Sequence, residues 1–221
     1  MTKPLVIFGL GDIAEVAHFY FKNDSDREIA AFTVDQDFLS KDELFDLPVV
    51  PFERIAESHP PDKFDMFIAV SYTKLNAVRM DKFNAAKNHG YHMASYISSK
   101  ASILNEKQIG ENCFILEDNT VQPFSKIGNN VTLWSGNHIG HHSSIKDHAF
   151  ISSHVVISGG VVVGEQCFLG VNCTVRDHVT IGERSVLGAG TLLLADAEPE
   201  SVYMTKGTEK SRVPSTRLRK I

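Results

Sequence analysis

A small parallel α/β unit followed by a parallel β-helix is the architecture this 221-residue sequence predicts, on three observations. Short apolar strands alternate with amphipathic helical stretches over the first hundred residues. An aliphatic residue then recurs at every sixth position from Ile103 to Leu193, sixteen positions without a miss. Four places after these aliphatics stand mostly small residues: Cys113, Ser125, Ser143, Ala149, Cys167, Cys173 and Ser185. Neither a helix nor a plain strand has a period of six. A coil of hexapeptide repeats does, with one short strand and one turn per repeat and three repeats per turn of the coil.

In chain order, "PLVIFGLG" is an apolar strand ending in glycines, and "DIAEVAHFYFKN" is a helix with Asp12 as its cap. "EIAAFTVD" is a second strand, "DLPVVPFERIAESHPP" a short strand and short helix, and "FDMFIAVS" a buried strand. "TKLNAVRMDKFNAAKNHG" is a helix closed by Gly90, and "YHMASYIS" a last strand of the same sheet. These elements make an α/β domain over residues 1–98, with helices on both faces of its sheet. The repeats fill 99–195, and the period is lost over a C-terminal extension, 196–221. Within the repeats, Gly110, Gly128, Gly140, Gly164, Gly170, Gly182 and Gly188 directly follow aliphatic positions, where tight turns are expected.

Composition narrows the function. The net charge of −5 comes without a basic patch, which argues against nucleic acid and membrane surfaces as partners. No apolar run is long enough to span a bilayer, and the N-terminus lacks a charged-then-apolar signal layout. The three cysteines form no CxxC and all fall at the small interior position, so they read as core residues in a reducing compartment. A cytoplasmic protein is expected.

Two motifs remain. "GLGDIAEV" joins a strand to a helix, where Gly9 and Gly11 let the backbone approach a diphosphate at a helix N-terminus. Asp35, at the end of the second strand, can accept hydrogen bonds from a ribose or base. Ala14 replaces a third glycine, and one short βαβ unit leaves no space for NAD; a mononucleotide or nucleotide-sugar diphosphate fits better, against the alternative of a bare tight turn. The second motif, "NHIGHHSSIKDH", carries His138, His141, His142 and His148. Metal site, catalytic base and polar surface are its three readings. On the hexad register His141 falls at a corner, pointing outward, with Pro123 and Gly159 one coil away; Gly159 and Gly160 leave an open surface beside it. Asn137 falls on the interior side. His148 and His154 read as surface residues.

The order of these parts, with "IFGLGDIAE", "FTVD", "FIAVS", "SYIS" and "GHHSSI…SGGVVVGEQCFLGVNCTV", resembles the bacterial nucleotide-sugar N-acyltransferases that acetylate 4-amino sugars, such as the bacillosamine, perosamine and viosamine enzymes. The resemblance implies a left-handed β-helix, a homotrimer, acetyl-CoA bound between neighbouring β-helices, and a nucleotide-linked 4-amino-4,6-dideoxyhexose held by the N-terminal domain. A dTDP-sugar is favoured, and the product would serve surface polysaccharide such as O-antigen. By the same resemblance His141 is the catalytic base, with His142 at the position of the family's acid. Gly9, Gly11, Asp35 and Ser71 would contact the nucleotide sugar, Gly159 and Ala189 match positions that line the family's acetyl-CoA channel, and His138, beside the corner, is a further candidate for a substrate contact. The sequence departs from the family at His142, at Trp134, which stands where some members have asparagine, and in the tail "VYMTKGTEK". No metal is expected. The γ-class carbonic anhydrases, hexapeptide proteins with zinc, use a histidine pair five residues apart, and no such pair occurs here. A sugar O-acetyltransferase and a non-catalytic hexapeptide scaffold are the alternatives.

Overall fold

The computed structural model describes residues 2–217. Its first part is a five-stranded sheet in the order β3-β4-β2-β1-β5, built from β1 (Leu5–Phe8), β2 (Ile29–Val34), β3 (Glu43–Leu44), β4 (Leu47–Pro51) and β5 (Asp65–Ile68). All pairs are parallel except the β3–β4 hairpin. Helices α1 (Asp12–Asn23), α2 (Ile55–Ser58) and α3 (Ala77–Asn88) cover it. Alternate strand residues explain the two-sided burial. Leu5, Ile7, Phe32 and Phe67 pack with Ala14, Ala17 and Phe21 of α1. Val6, Phe8, Met66 and Ile68 pack with Ile55 of α2 and with Phe83 and Ala86 of α3. The expected cap Asp12 is instead the first helical residue; the N-cap is Gly11, in an extended conformation.

The segment expected as a last strand of this sheet divides. Met93 bridges to Met66 of β5, but Tyr96–Ile97 pairs with Phe114–Ile115 and so forms the first rung of the β-helix. From there, two-residue strands stack in three parallel sheets, each residue facing the one eighteen places on: Phe114–Ile115 with Thr132–Leu133, His138–Ile139 with Val156–Ile157, Ser144–Ile145 with Val162–Val163. The inward aliphatics and the small residues form one continuous core. Pairing continues past Leu193, with Ala197 against Ile181 and Val202–Tyr203 against Val186–Leu187.

The turns work differently from expectation. The glycines after the aliphatics do not supply the left-handed step. At Gly128 and Gly140 an added Cβ would lie within 3 Å of the next coil's backbone, so these positions are glycine because the coils approach too closely for a side chain. The left-handed residue stands three places after each aliphatic, from Glu106 to Gly190 without exception, and Asn112, Asp118, Asn130, His142, His148, His154, Asn172 and His178 are among its occupants. Asn, Asp and His are the side chains that best tolerate this conformation. The β-helix therefore recruits histidines for a backbone reason.

One outward face of the coil carries the α/β unit. Phe114 and Phe150 are buried beneath it, and Tyr20, Phe67 and Tyr96 surround Phe114. At the other end of the seam, Arg79 of α3 is fully buried and donates to the carbonyls of Asn130, His148 and Ala149 and to the side-chain oxygens of Asn76 and Asn130. Asn76 in turn donates to the carbonyls of Gln166 and Cys167. The three cysteines are buried and unpaired, and burial pushes the Cys113 and Cys167 thiols up to about 12 and about 11, as core positions require.

Candidate active site

Two places gather the predicted residues. The first is a cleft of about 560 Å³ at the carboxyl ends of β1, β2 and β5, lined among others by Gly9, Gly11, Asp12, Val34, Phe38 and Ser71. Gly9 has φ +127, and a Cβ there would sit 2.7 Å from the Ala69 carbonyl oxygen, so only glycine lets the turn cross the end of β5. Around Gly11 there is open space. The α1 N-terminus has no side-chain cap, which leaves its first N–H groups at the edge of the cleft. Asp35 follows β2 beside Val34, and its carboxylate is paired with Lys82 of α3 at 2.7 Å. Lys82 in turn lies over the Phe8 and Phe52 rings.

The second place is the coil corner at residues 140–143. His141 is exposed, its N–H donates to Gln122 Oε1 at 2.9 Å, and its carbonyl accepts from the Gly160 N–H at 2.8 Å. The surface beside it is not open as expected. The His141 ring itself lies on Gly159, where a Cβ would meet it at 2.6 Å, and the His178 ring lies on Gly160, where a Cβ would meet it at 2.5 Å. The glycine pair thus accommodates two imidazoles, one from the coil before it and one from the coil after it. His178 was not singled out from the sequence; its place in the left-handed column, two coils from His142, is the signal that finds it.

His142 stands at φ +59 beside His141, the two Nδ1 atoms 3.1 Å apart, and its other neighbour is the Phe124 ring at 4.8 Å between centroids. His138 faces outward on the strand that enters this corner, half-buried, between Thr120 and Val156. Asn137 is interior, and its Oδ1 accepts from the Val155 N–H. His148, expected at the surface, is buried at the seam, against Phe83 and Asn130, because α3 covers that corner. Ala189 is exposed and belongs to another corner, since it lies eight hexads from His141 and eight is not a multiple of three. One chain does not bring Ala189 to the His141–Gly159 corner. Among the described residues, no group of three His, Cys, Asp or Glu side chains is placed to hold a metal ion, and no helix is long and apolar enough to cross a membrane.

The profile of the bacterial transferase hexapeptide (six repeats) family matches residues 124–159 and 160–195. A search of curated protein sequences gives no significant match. Among solved structures, a histidine-to-asparagine variant of perosamine N-acetyltransferase from Caulobacter crescentus, in complex with CoA and GDP-perosamine, is 23% identical, with a TM-score of 0.81 over 90% of this chain and 92% of that one. The acetyltransferase domain of PglB from Neisseria gonorrhoeae, in complex with acetyl coenzyme A, is 20% identical, with a TM-score of 0.80 over 91% and 96%. WeeI from Acinetobacter baumannii is 18% identical, with a TM-score of 0.76 over 91% and 96%. The fold is therefore the expected one, a small α/β unit ahead of a left-handed β-helix of hexapeptide repeats.

Proposed function

We propose that the protein is an acetyl-CoA-dependent N-acetyltransferase acting on the 4-amino group of a nucleotide-linked 4-amino-4,6-dideoxyhexose. The observation that carries this reading is the corner where the His141 ring, bound at Nδ1 and packed on Gly159, leaves Nε2 to a substrate. It is supported by the similarity, along nine-tenths of both chains, to an enzyme whose structure holds CoA and GDP-perosamine.

In this reading the free amine attacks the thioester carbonyl. The C–N bond forms, His141 Nε2 takes the amine proton, and the tetrahedral intermediate collapses with loss of the CoA thiolate. A backbone N–H of a neighbouring coil would hold the oxyanion, and binding both substrates supplies the proximity. Gly9, Gly11 and Ser71 would seat the diphosphate at the α1 N-terminus. Asp35, steadied by Lys82, would take the ribose or base, and His138 the sugar. The resemblance favours dTDP as the nucleotide, while the perosamine enzyme's complex contains GDP-perosamine; surface polysaccharide synthesis is the proposed use of the product.

A homotrimer completes the site. The coil face that carries His138 also exposes Leu104, Val156, Leu192 and Leu194, at 40% or more of their surface, and it runs directly into the His141 corner. Burying that face between copies removes apolar surface from water. It also lets Gly159 of one copy and Ala189 of another line the same acetyl-CoA channel. Light scattering should give three times the chain mass of 24.5 kDa. The activity is tested by thiol release from acetyl-CoA in the presence of dTDP-, UDP- and GDP-linked 4-amino sugars, with a thermal-shift panel of the nucleotides to read the base. No thiol release with any of the three, or release that needs only a hydroxyl acceptor, would remove this reading.

A further inference from the structure

The corner holds two imidazoles edge to face, with ring centroids 5.2 Å apart, planes at 86° and Nδ1 atoms 3.1 Å apart. Two ring nitrogens at that distance have one proton between them; one donates and the other accepts. His142 is fixed independently of His141. Its backbone occupies the left-handed step, and its ring leans on Phe124, the residue at the same step one coil earlier. His141 is fixed by Gln122 on one side and Gly159 on the other. Its Nδ1 is committed to His142, and only Nε2 is left for a reacting group.

We propose that His142 is the positioning residue of the base: it accepts the Nδ1–H of His141, sets the tautomer that presents the Nε2 lone pair, and shares the proton that His141 receives. This rests on the acyl-transfer reading above. The step balances simply. An amine N–H bond breaks and a His141 Nε2–H bond forms, while the His141 Nδ1 proton shifts towards His142 Nδ1, so that the positive charge spreads over two rings. No acid assists. The flanking coil segments, Gln122–Pro123–Phe124–Ser125 and Ser158–Gly159–Gly160–Val161, carry no titratable side chain. The next charged groups along this corner lie two coils away, Glu106 and Lys107 on one side and Asp177 and His178 on the other, the last beyond Gly160. A carboxylate at position 142 would act differently, holding the proton on His141 to higher pH.

The test is the pH dependence of kcat for the wild type, His142→Asp and His142→Asn, both replacements that tolerate the left-handed step. His142→Asp should move the acid limb of the profile upward by about one pH unit or more. His142→Asn accepts the Nδ1–H but cannot share the proton, and should lower the plateau about 10- to 100-fold with KM little changed. Profiles of all three that superimpose, with His141→Asn inactive, overturn the proposal and leave the acyl-transfer reading standing. His141→Asn that stays active overturns that reading itself. A second readout needs no substrate. The ¹⁵N spectrum of the histidine-labelled protein should show His141 as the Nδ1–H tautomer, and an Nε2–H tautomer there would overturn the assignment.

Discussion

In the β-helix a residue's neighbours are the residues eighteen places before and after it; in the α/β unit they are wherever the strand order brings them. Gly159 lies on His141 because of the register alone, and Ala189 is excluded from that corner by the same arithmetic. Asp35 meets Lys82, forty-seven residues away, only because α3 packs on the sheet face beside the end of β2. The repeat also strips meaning from some residues. His142, His148, His154 and His178 share one backbone step, so their crowding in the sequence is conformational before it is chemical. His141 stands one place earlier, where the backbone makes no such demand, and it is the histidine that this comparison singles out.

The largest effect should therefore come from His141. His141→Asn keeps the size and a hydrogen bond but cannot take a proton, and should lower kcat by about 10²–10⁴-fold. Substrate affinities and the melting temperature should stay as they were, so that the loss falls on kcat. Steady-state kinetics showing activity within about threefold of the wild type would return the corner to plain surface and erase the contrast between the two histidine positions.

Next comes the seam, where the two regions meet. Arg79→Met removes every donor that α3 offers to the Asn130 and His148 carbonyls, and buried acceptors left without partners cost about 1–3 kcal/mol. Urea unfolding should report a loss in that range. Arg79→Lys should not restore it, because one ammonium cannot reach the carbonyls of two coils and Asn76 together. Equal stability of Arg79→Met and the wild type would mean that the α/β unit is held on the coil without the Arg79 hydrogen bonds.

This seam was not legible in the sequence, and the reason is physical. The hexad period is a core signal, one aliphatic per strand, and it gives the coil, its three interior cysteines and the outward corner at His141. Seam residues obey no period. Arg79 looks like any polar residue of an amphipathic helix, and Tyr96–Ile97 looks like any short strand, until the sheet they pair with is known. His148 looked like surface because a corner residue of a bare coil is exposed; α3 covers it. The left-handed column was readable in principle, as Asn, Asp, His or Gly three places after most of the aliphatics, and it would have placed His178 at the Gly160 notch.

A smaller effect separates the two glycines of the α/β turn. Gly9→Ala forces an L side chain to φ +127, 2.7 Å from a carbonyl oxygen, at a strain cost of about 1–3 kcal/mol. Gly11→Ala meets nothing within 4 Å and costs an N-cap preference of about 1 kcal/mol or less. Gly9→Ala should thus lower the unfolding midpoint while Gly11→Ala barely moves it. If Gly11→Ala nevertheless weakens nucleotide binding by calorimetry, the open space at Gly11 is where the diphosphate sits. Unchanged affinity would reduce Gly11 to a turn residue.

The smallest effect concerns the buried member of the histidine column. Burial holds the His148 imidazole below its ordinary pKa of 6.5; the Arg79 charge adds to this, and Asp147 opposes it. Asn130 donates to His148 Nδ1 at 2.9 Å, and its Oδ1 is already taken by Asn112 and Arg79, so the ring accepts at Nδ1 and is neutral. The sign follows from proton counts. Between the depressed folded value and 6.5 the unfolded chain binds the proton and the folded chain does not, so stability rises with pH across that window and levels off above it. Acidification from pH 7.5 to 5.5 should therefore lower the urea midpoint, the unfolding free energy falling by up to about 1.4 kcal/mol for each pH unit within the window. His18 and His59, also held below their ordinary values by burial, act in the same direction, so the informative quantity is the difference between wild type and variant. His148→Asn keeps the left-handed step and a partner for Asn130 but has no proton to bind. Its midpoint should lie close to that of the wild type at pH 7.5 and fall less on the way to 5.5. Two curves that stay parallel over that range would mean that His148 opens to water before it titrates, and that the seam over this corner is looser than the register of the coil beneath it.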